Sequence, residues 1–259
     1  MWNIMKAQNY QAKSDNINIY ILIVGLILPF LDVLDDMDKI SGSMYFIVSG
    51  SGTVFILSLI VTLVLVCRIC GWDLADKTLN YEVLSGHKRS EIYFGRVFVS
   101  LFYSMLFCMV LIVIPILVIS IINGFGDTFS LKNVFLHYML LLFPLLRLAC
   151  ELVLLTFLVN NCYAAMILGW MIFCFSMIGS MILEGLSNID LTFHFVATNI
   201  ISLFQFDNYH LEEISGKEVM VFQNNLDFSL VIGTITASVL VGGICLAIGY
   251  LVFRKRDLS

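Results

Sequence analysis

Arg147 and Glu151 stand four residues apart inside an apolar run that extends from Lys132 to Glu184. On a helix that spacing puts both side chains on one face. A lone charge at the middle of a membrane-spanning helix costs about 2.5–3.5 kcal/mol, so the two are expected to pair and to face away from lipid. Two roles remain open for the pair. It lines a polar path or a contact between subunits, or it neutralises itself and locks the bundle. His137 and Pro144 share the same helix, and a Pro kink there is tolerated where neighbours satisfy the freed carbonyl.

A second concentration of polar chemistry lies between Arg68 and Arg96, RICGWDLADKTLNYEVLSGHKRSEIYFGR. Leu74, Leu79, Val83 and Leu84 recur at roughly helical spacing. Gly86 is placed to cap that helix, and Ser90 with Glu91 to start the next. The basic turn His87, Lys88, Arg89 lies between them. The alternative is an ordinary solvated loop.

Other chemistries lack their residues. Cys67-x-x-Cys70 has no second pair and is read as two thiols at a helix end. His87, His137, His194 and His210 fall on different segments, so no two flank a Glu in the metalloprotease pattern. A Glu-Glu-x-x-x-Arg protease pattern finds no match, because Arg147-x-x-x-Glu151 runs the other way. The one Gly-Lys, Gly216-Lys217, is followed by Glu218 and preceded at the required spacing by Leu211, so it is no P-loop. No catalytic, cofactor or metal site is expected in this chain. An intramembrane enzyme with an unrecognised nucleophile, or a structural or assembly subunit, stays as the rival reading.

The elements that position these residues follow from composition. Of 259 residues 60% are apolar and 13% charged, with a net charge of −5, against about 25% charged in a soluble domain. That excludes a disordered chain, a disulfide-framed secreted domain and a soluble nucleic-acid binder with a basic face. A bilayer core of about 30 Å takes about 20 apolar residues. Charge-free stretches, with the long run divided at Asn160-Asn161, predict six helices near 17–33, 44–67, 97–122, 134–159, 164–184 and 230–253. They form one transmembrane domain over 1–259, an all-α membrane protein. Residues 1–15, with Trp2 and Tyr10, read as an interfacial helix rather than a cleaved signal.

Placed on six spans, ten of the fourteen Lys and Arg fall on one side: Lys6, Lys13, Arg68, Lys77, Lys88, Arg89, Arg96, Arg254, Lys255 and Arg256. Lys39, Lys132 and Lys217 fall on the other, and Arg147 lies within the membrane. The positive-inside rule then puts both termini in the cytoplasm. The outer loop 185–229 carries seven aromatics (Phe193, Phe195, Phe204, Phe206, Tyr209, Phe222, Phe228), too many for a solvated linker. Its apolar part, 191–206, is expected to pack on or re-enter the outer leaflet under protein cover. Its acidic part, 207–227, is expected to be exposed.

Order and spacing along the chain resemble one family. Asp73-x-x-x-Lys77-Thr78-Leu79, then Leu84-Ser85-Gly86-x-x-Arg89-x-x-Ile92-Tyr93-x-x-Arg96, is similar to the cytoplasmic loop of type 2 ABC exporter permeases. The start, Met5-Lys6-Ala7-x-x-Tyr10-x-x-Lys13-Ser14, resembles that family's interfacial helix, though it is less basic. The end, Tyr250-Leu251-Val252-Phe253-x-Lys255-Arg256-Asp257-Leu258, resembles its exit from span six. The resemblance implies a permease subunit in a bacterial plasma membrane, paired with a second permease chain and with separate ATPase subunits that bind ATP and Mg. It makes 68–96 the coupling loop, with Leu79, Glu82, Leu84, His87, Lys88 and Arg89 as contacts to the ATPase. It implies an outer loop that caps the path, or a folded lid without substrate contact. An amphipathic substrate such as an antimicrobial peptide fits the same resemblance.

Overall fold

The computed structural model describes residues 1–31, 40–50, 52–75, 82–187, 191–206, 209–214, 217–224 and 226–255. Its helices are α1 (Trp2–Ser14), α2 (Asn16–Leu31), α3 (Gly42–Gly50), α4 (Thr53–Ala75), α5 (Arg89–Asn123), α6 (Leu131–Val159), α7 (Cys162–Ser187), α8 (Val196–Leu203) and α9 (Phe228–Lys255). Five of them, α4, α5, α6, α7 and α9, are each long and apolar enough to cross a membrane. The α1–α2 pair, bent by 57°, makes a sixth if taken as one span. The protein is therefore a multi-pass helical membrane protein.

Local chemistry sets the helix ends. α6 begins where the Ser130 hydroxyl accepts a hydrogen bond from the Asn133 amide, and it ends at Asn160 with φ 61°. The next residue, Asn161, accepts from the Tyr163 and Ala164 amides and starts α7. The polar pair Asn160-Asn161 thus closes one helix and opens the next. The predicted span 44–67 divides differently. Ser49-Gly50-Ser51-Gly52 is a run of poor helix formers, and α3 ends in it before α4 begins at Thr53. α4 then continues past Arg68 to Ala75, because the Arg68 charge is met within the chain. α5 has 35 residues, about 52 Å, so it carries the span near 97–122 and projects beyond it.

α6 is the centre of the bundle and packs on α4, α5, α7, α8 and α9. Two glycines of α9, seven residues apart, lie against the α6 backbone. A methyl on Gly242 would lie 3.8 Å from the Arg147 Cα, and one on Gly249 3.7 Å from the Leu154 Cα. Small residues permit this approach where dispersion rather than the hydrophobic effect joins helices.

The segment between α7 and α9 is folded onto the bundle. In α8 Val196, Ala197, Ile200 and Leu203 are buried. The rings of Phe204 and Phe206 join Phe46, Phe129 and His137, with centroids 5.3–5.7 Å apart for most pairs. Beyond them Tyr209–Ile214 (β1) and Lys217–Phe222 (β2) form an antiparallel hairpin, Ile214 facing Lys217. The hairpin falls within the stretch 207–227 that its acidic residues mark as exposed. The Phe222 amide donates to the Thr128 carbonyl, tying the hairpin to the α5–α6 connection.

Candidate functional site

Two arrangements gather the polar residues, one at each level of the bundle. The first is the turn between α4 and α5. Leu79 and Lys77 lie outside the described residues, as does the segment 76–81. Residues 82–84 are helical, and Gly86 ends that turn with φ 92°. The Gly86 amide donates to the Val83 carbonyl and the His87 amide to the Glu82 carbonyl, the paired 5→2 and 6→1 bonds of a Schellman cap. Gly is required at such a φ, since an L side chain is strained there. α5 starts at Arg89 with Lys88 at the cap position, one residue ahead of the start expected at Ser90. Glu91 lies in its first turn, where the helix dipole favours a carboxylate.

Three tethers fix the turn. Arg96, fully buried, donates through Nη2 to Glu82 Oε1 at 2.9 Å. Arg89 donates through Nη1 to the Arg254 carbonyl at the end of α9, at 2.7 Å. Glu91 takes the amino terminus of Met1 at 3.4 Å, with His87 Nδ1 at 3.9 Å. Of the six residues assigned to coupling, Glu82 and Arg89 therefore work inside the chain, shaping the turn. Leu84 and Lys88 point outward, and Leu84 is 81% exposed.

A fourth contact steadies the same end. Arg68 makes a two-pronged bond to Asp15, 2.6 Å from Nε and 3.2 Å from Nη2, and its guanidinium carbon stands 4.4 Å from the Trp72 ring centroid. Burial works to raise the Asp15 pKa, but the Arg68 bond and charge and the Ile17 amide outweigh it and hold the carboxyl below its ordinary 3.8. From residue types alone Arg68 is one of the ten cytoplasmic charges. Its signal was a charge at the end of an apolar run with no partner one helical turn away.

The second arrangement centres on Arg147, whose side chain is 7% exposed. Its Nε donates to Glu151 Oε1 at 2.9 Å, as the four-residue spacing predicts. Its Nη1 and Nη2 donate to the backbone carbonyls of Phe193 and His194, at 2.9 and 2.6 Å. One guanidinium fork thus joins α6 to the chain leading into α8. The Glu151 side chain keeps 30% of its surface and faces a cleft of about 350 Å³ lined also by Phe173, His194 and Cys245. All seven cysteines are thiols, buried or half-buried. Among the described residues no three His, Cys, Asp or Glu side chains converge as metal ligands.

No family model, curated protein or solved structure matches this chain.

Proposed function

We propose that the chain is the permease subunit of an ATP-driven exporter of the type 2 ABC kind, with six spans and both termini in the cytoplasm of a bacterial cell. In this reading α1 is the interfacial helix and α2 supplies the first span. Separate ATPase subunits bind ATP and Mg and dock on the turn at 82–89. A second permease chain completes the path, and the α7–α9 segment covers it. An amphipathic compound such as an antimicrobial peptide is the substrate class the resemblance favours.

The observation that supports this best is the turn itself. A merely solvated connection would not need a Schellman-capped turn held by three tethers. Here Leu84 is held out at 81% exposure on a turn braced against α5, α9 and the amino terminus. A partner that covers Leu84 would move α5 through the Glu82–Arg96 pair and α9 through the Arg89 bond. Binding that differs between nucleotide states would then bias the bundle between two arrangements.

The test is co-purification with candidate ATPase subunits from the same membrane, followed by hydrolysis in the presence of amphipathic compounds. Formation of a stable complex whose hydrolysis responds to one compound is the expected result. A chain that purifies without any ATPase, and leaves hydrolysis by every candidate unchanged, would contradict the reading.

A further inference from the structure

α1 lies along the first turns of α5. Its Ile4 and Met5 side chains sit against Gly95, its amino terminus reaches Glu91, and the Tyr103 hydroxyl donates to Asn9 Oδ1. The contact does not close along one side. Between Trp2, Met5 and Lys6 on α1 and Phe98, Phe102 and Tyr103 on α5 runs a groove of about 400 Å³. Its rim is apolar and open: Trp2 is 66% exposed, Phe98 55% and Phe102 54%. The ammonium of Lys6 stands at one edge, 5.6 Å from the Trp2 ring centroid.

We propose that this groove is a binding site for an anionic phospholipid of the bilayer. An apolar groove at the side of a membrane-spanning helix is filled by hydrocarbon, and here one acyl chain would lie between Trp2 and the Phe98–Phe102 face. The headgroup is selected by charge. α1 contains no Asp or Glu, and Lys6 and Lys13 are its only charged side chains, so a phosphate at the rim meets Lys6 unopposed from its own helix. The Asn9 side chain accepts from Tyr103 through Oδ1, which leaves its Nδ2 to donate to a phosphate or glycerol oxygen. The cation over Trp2 adds an amphipathic platform suited to headgroup level. This is the end of the bundle that gathers Lys88, Arg89, Arg254 and Lys255, the side on which anionic lipids reside. The site stands whether or not the chain belongs to a transporter.

Trp2 reports on its own groove. The full chain is reconstituted in phosphatidylcholine vesicles containing a rising fraction of phosphatidylglycerol or phosphatidylcholine brominated in its acyl chains. The Trp2 signal is the difference between the native chain and Trp2→Phe, which leaves the other two of its three Trp untouched. Half-maximal quenching is expected at about fivefold lower mole fraction for the brominated phosphatidylglycerol, the preference that one Lys gives near an anionic surface. Lys6→Gln should bring the two lipids to parity while Trp2 is still quenched by both. Equal quenching by the two lipids in the native chain would overturn the site, as would a preference that survives Lys6→Gln. Absence of quenching by either lipid would show that no acyl chain enters the groove.

Discussion

Replacing Arg147 by Gln removes three hydrogen bonds from a charged donor: to Glu151 at 2.9 Å, to Phe193 at 2.9 Å and to His194 at 2.6 Å. Taking away one partner of a fully buried ion pair costs about 3–5 kcal/mol, and less here, because the Glu151 side chain left behind keeps 30% of its surface. The two carbonyls lose their donor as well, at about 1–3 kcal/mol each where water cannot replace it. These terms share one side chain and do not add. An overall loss of about 4 kcal/mol is expected, a fall in melting temperature of roughly 8–16 °C for a chain of this size. Glu151→Gln is milder, since Gln still accepts from Nε and the fork to Phe193 and His194 is kept. The double replacement should fall between, because the stranded carboxylate is gone but the carbonyls stay unmet. Arg147→Lys should also fall between, as an ammonium cannot serve three acceptors with a planar fork. Buried and half-buried thiols make unfolding readable with a thiol-reactive fluorophore in detergent. Hydrogen exchange at the amides of 196–203 should quicken in Arg147→Gln and in the double replacement, and not in Glu151→Gln. Equal melting temperatures for Arg147→Gln and Glu151→Gln would refute the clamp. So would a double mutant as stable as the native chain, which would reduce Arg147 to a self-neutralised pair.

Three further outcomes follow from other parts of the structure. Gly86→Ala meets no atom within 4 Å, so its cost is backbone strain of about 1–2 kcal/mol, read as faster exchange at the Gly86 and His87 amides with little change in overall melting. The folded-state pKa of Asp15 is depressed below 3.8, so the tether to Arg68 stabilises fully above that pH and is lost as pH falls through the folded value. Trp72 emission should follow that loss in the native chain and show no such transition in Asp15→Asn. A cysteine replacing Lys88 should resist an impermeant thiol reagent in intact cells while one replacing Lys217 labels, after the native thiols are removed, and labelling of both would contradict six spans with the amino terminus inside.

What the sequence made legible was local. Asn160-Asn161 was readable as a turn because one residue must adopt a left-handed backbone and the next must cap a helix, and Asn does both. The cap at Gly86 and the pairing of Arg147 with Glu151 depend on neighbours within five residues, and both were visible. The carbonyls of Phe193 and His194 were not, because a backbone acceptor more than forty residues away leaves no mark in residue types. Glu82 shows the same limit. The family resemblance made it a contact to an ATPase, and its bond to Arg96, fourteen residues on, was not legible from residue types. The pairing of Arg68 with Asp15 spans 53 residues and has no periodic signature. The hairpin had none either: Tyr209–Ile214 breaks its alternation at Glu212-Glu213 and Lys217–Phe222 is two charges followed by four apolar residues, so its acidic residues made the stretch read as exposed loop.

The central claim, that the turn at 82–89 receives an ATPase subunit, is tested most directly at Leu84. A photo-reactive amino acid there, in the full chain and in its own membrane, should yield on irradiation an adduct with a subunit that hydrolyses ATP, in a yield that changes when nucleotide is added. The same residue placed at Ile121, equally exposed at 81% but at the far end of α5, should capture no ATPase. Position 84 capturing no ATP-hydrolysing chain, while the cysteine topology at Lys88 and Lys217 holds, would contradict the account.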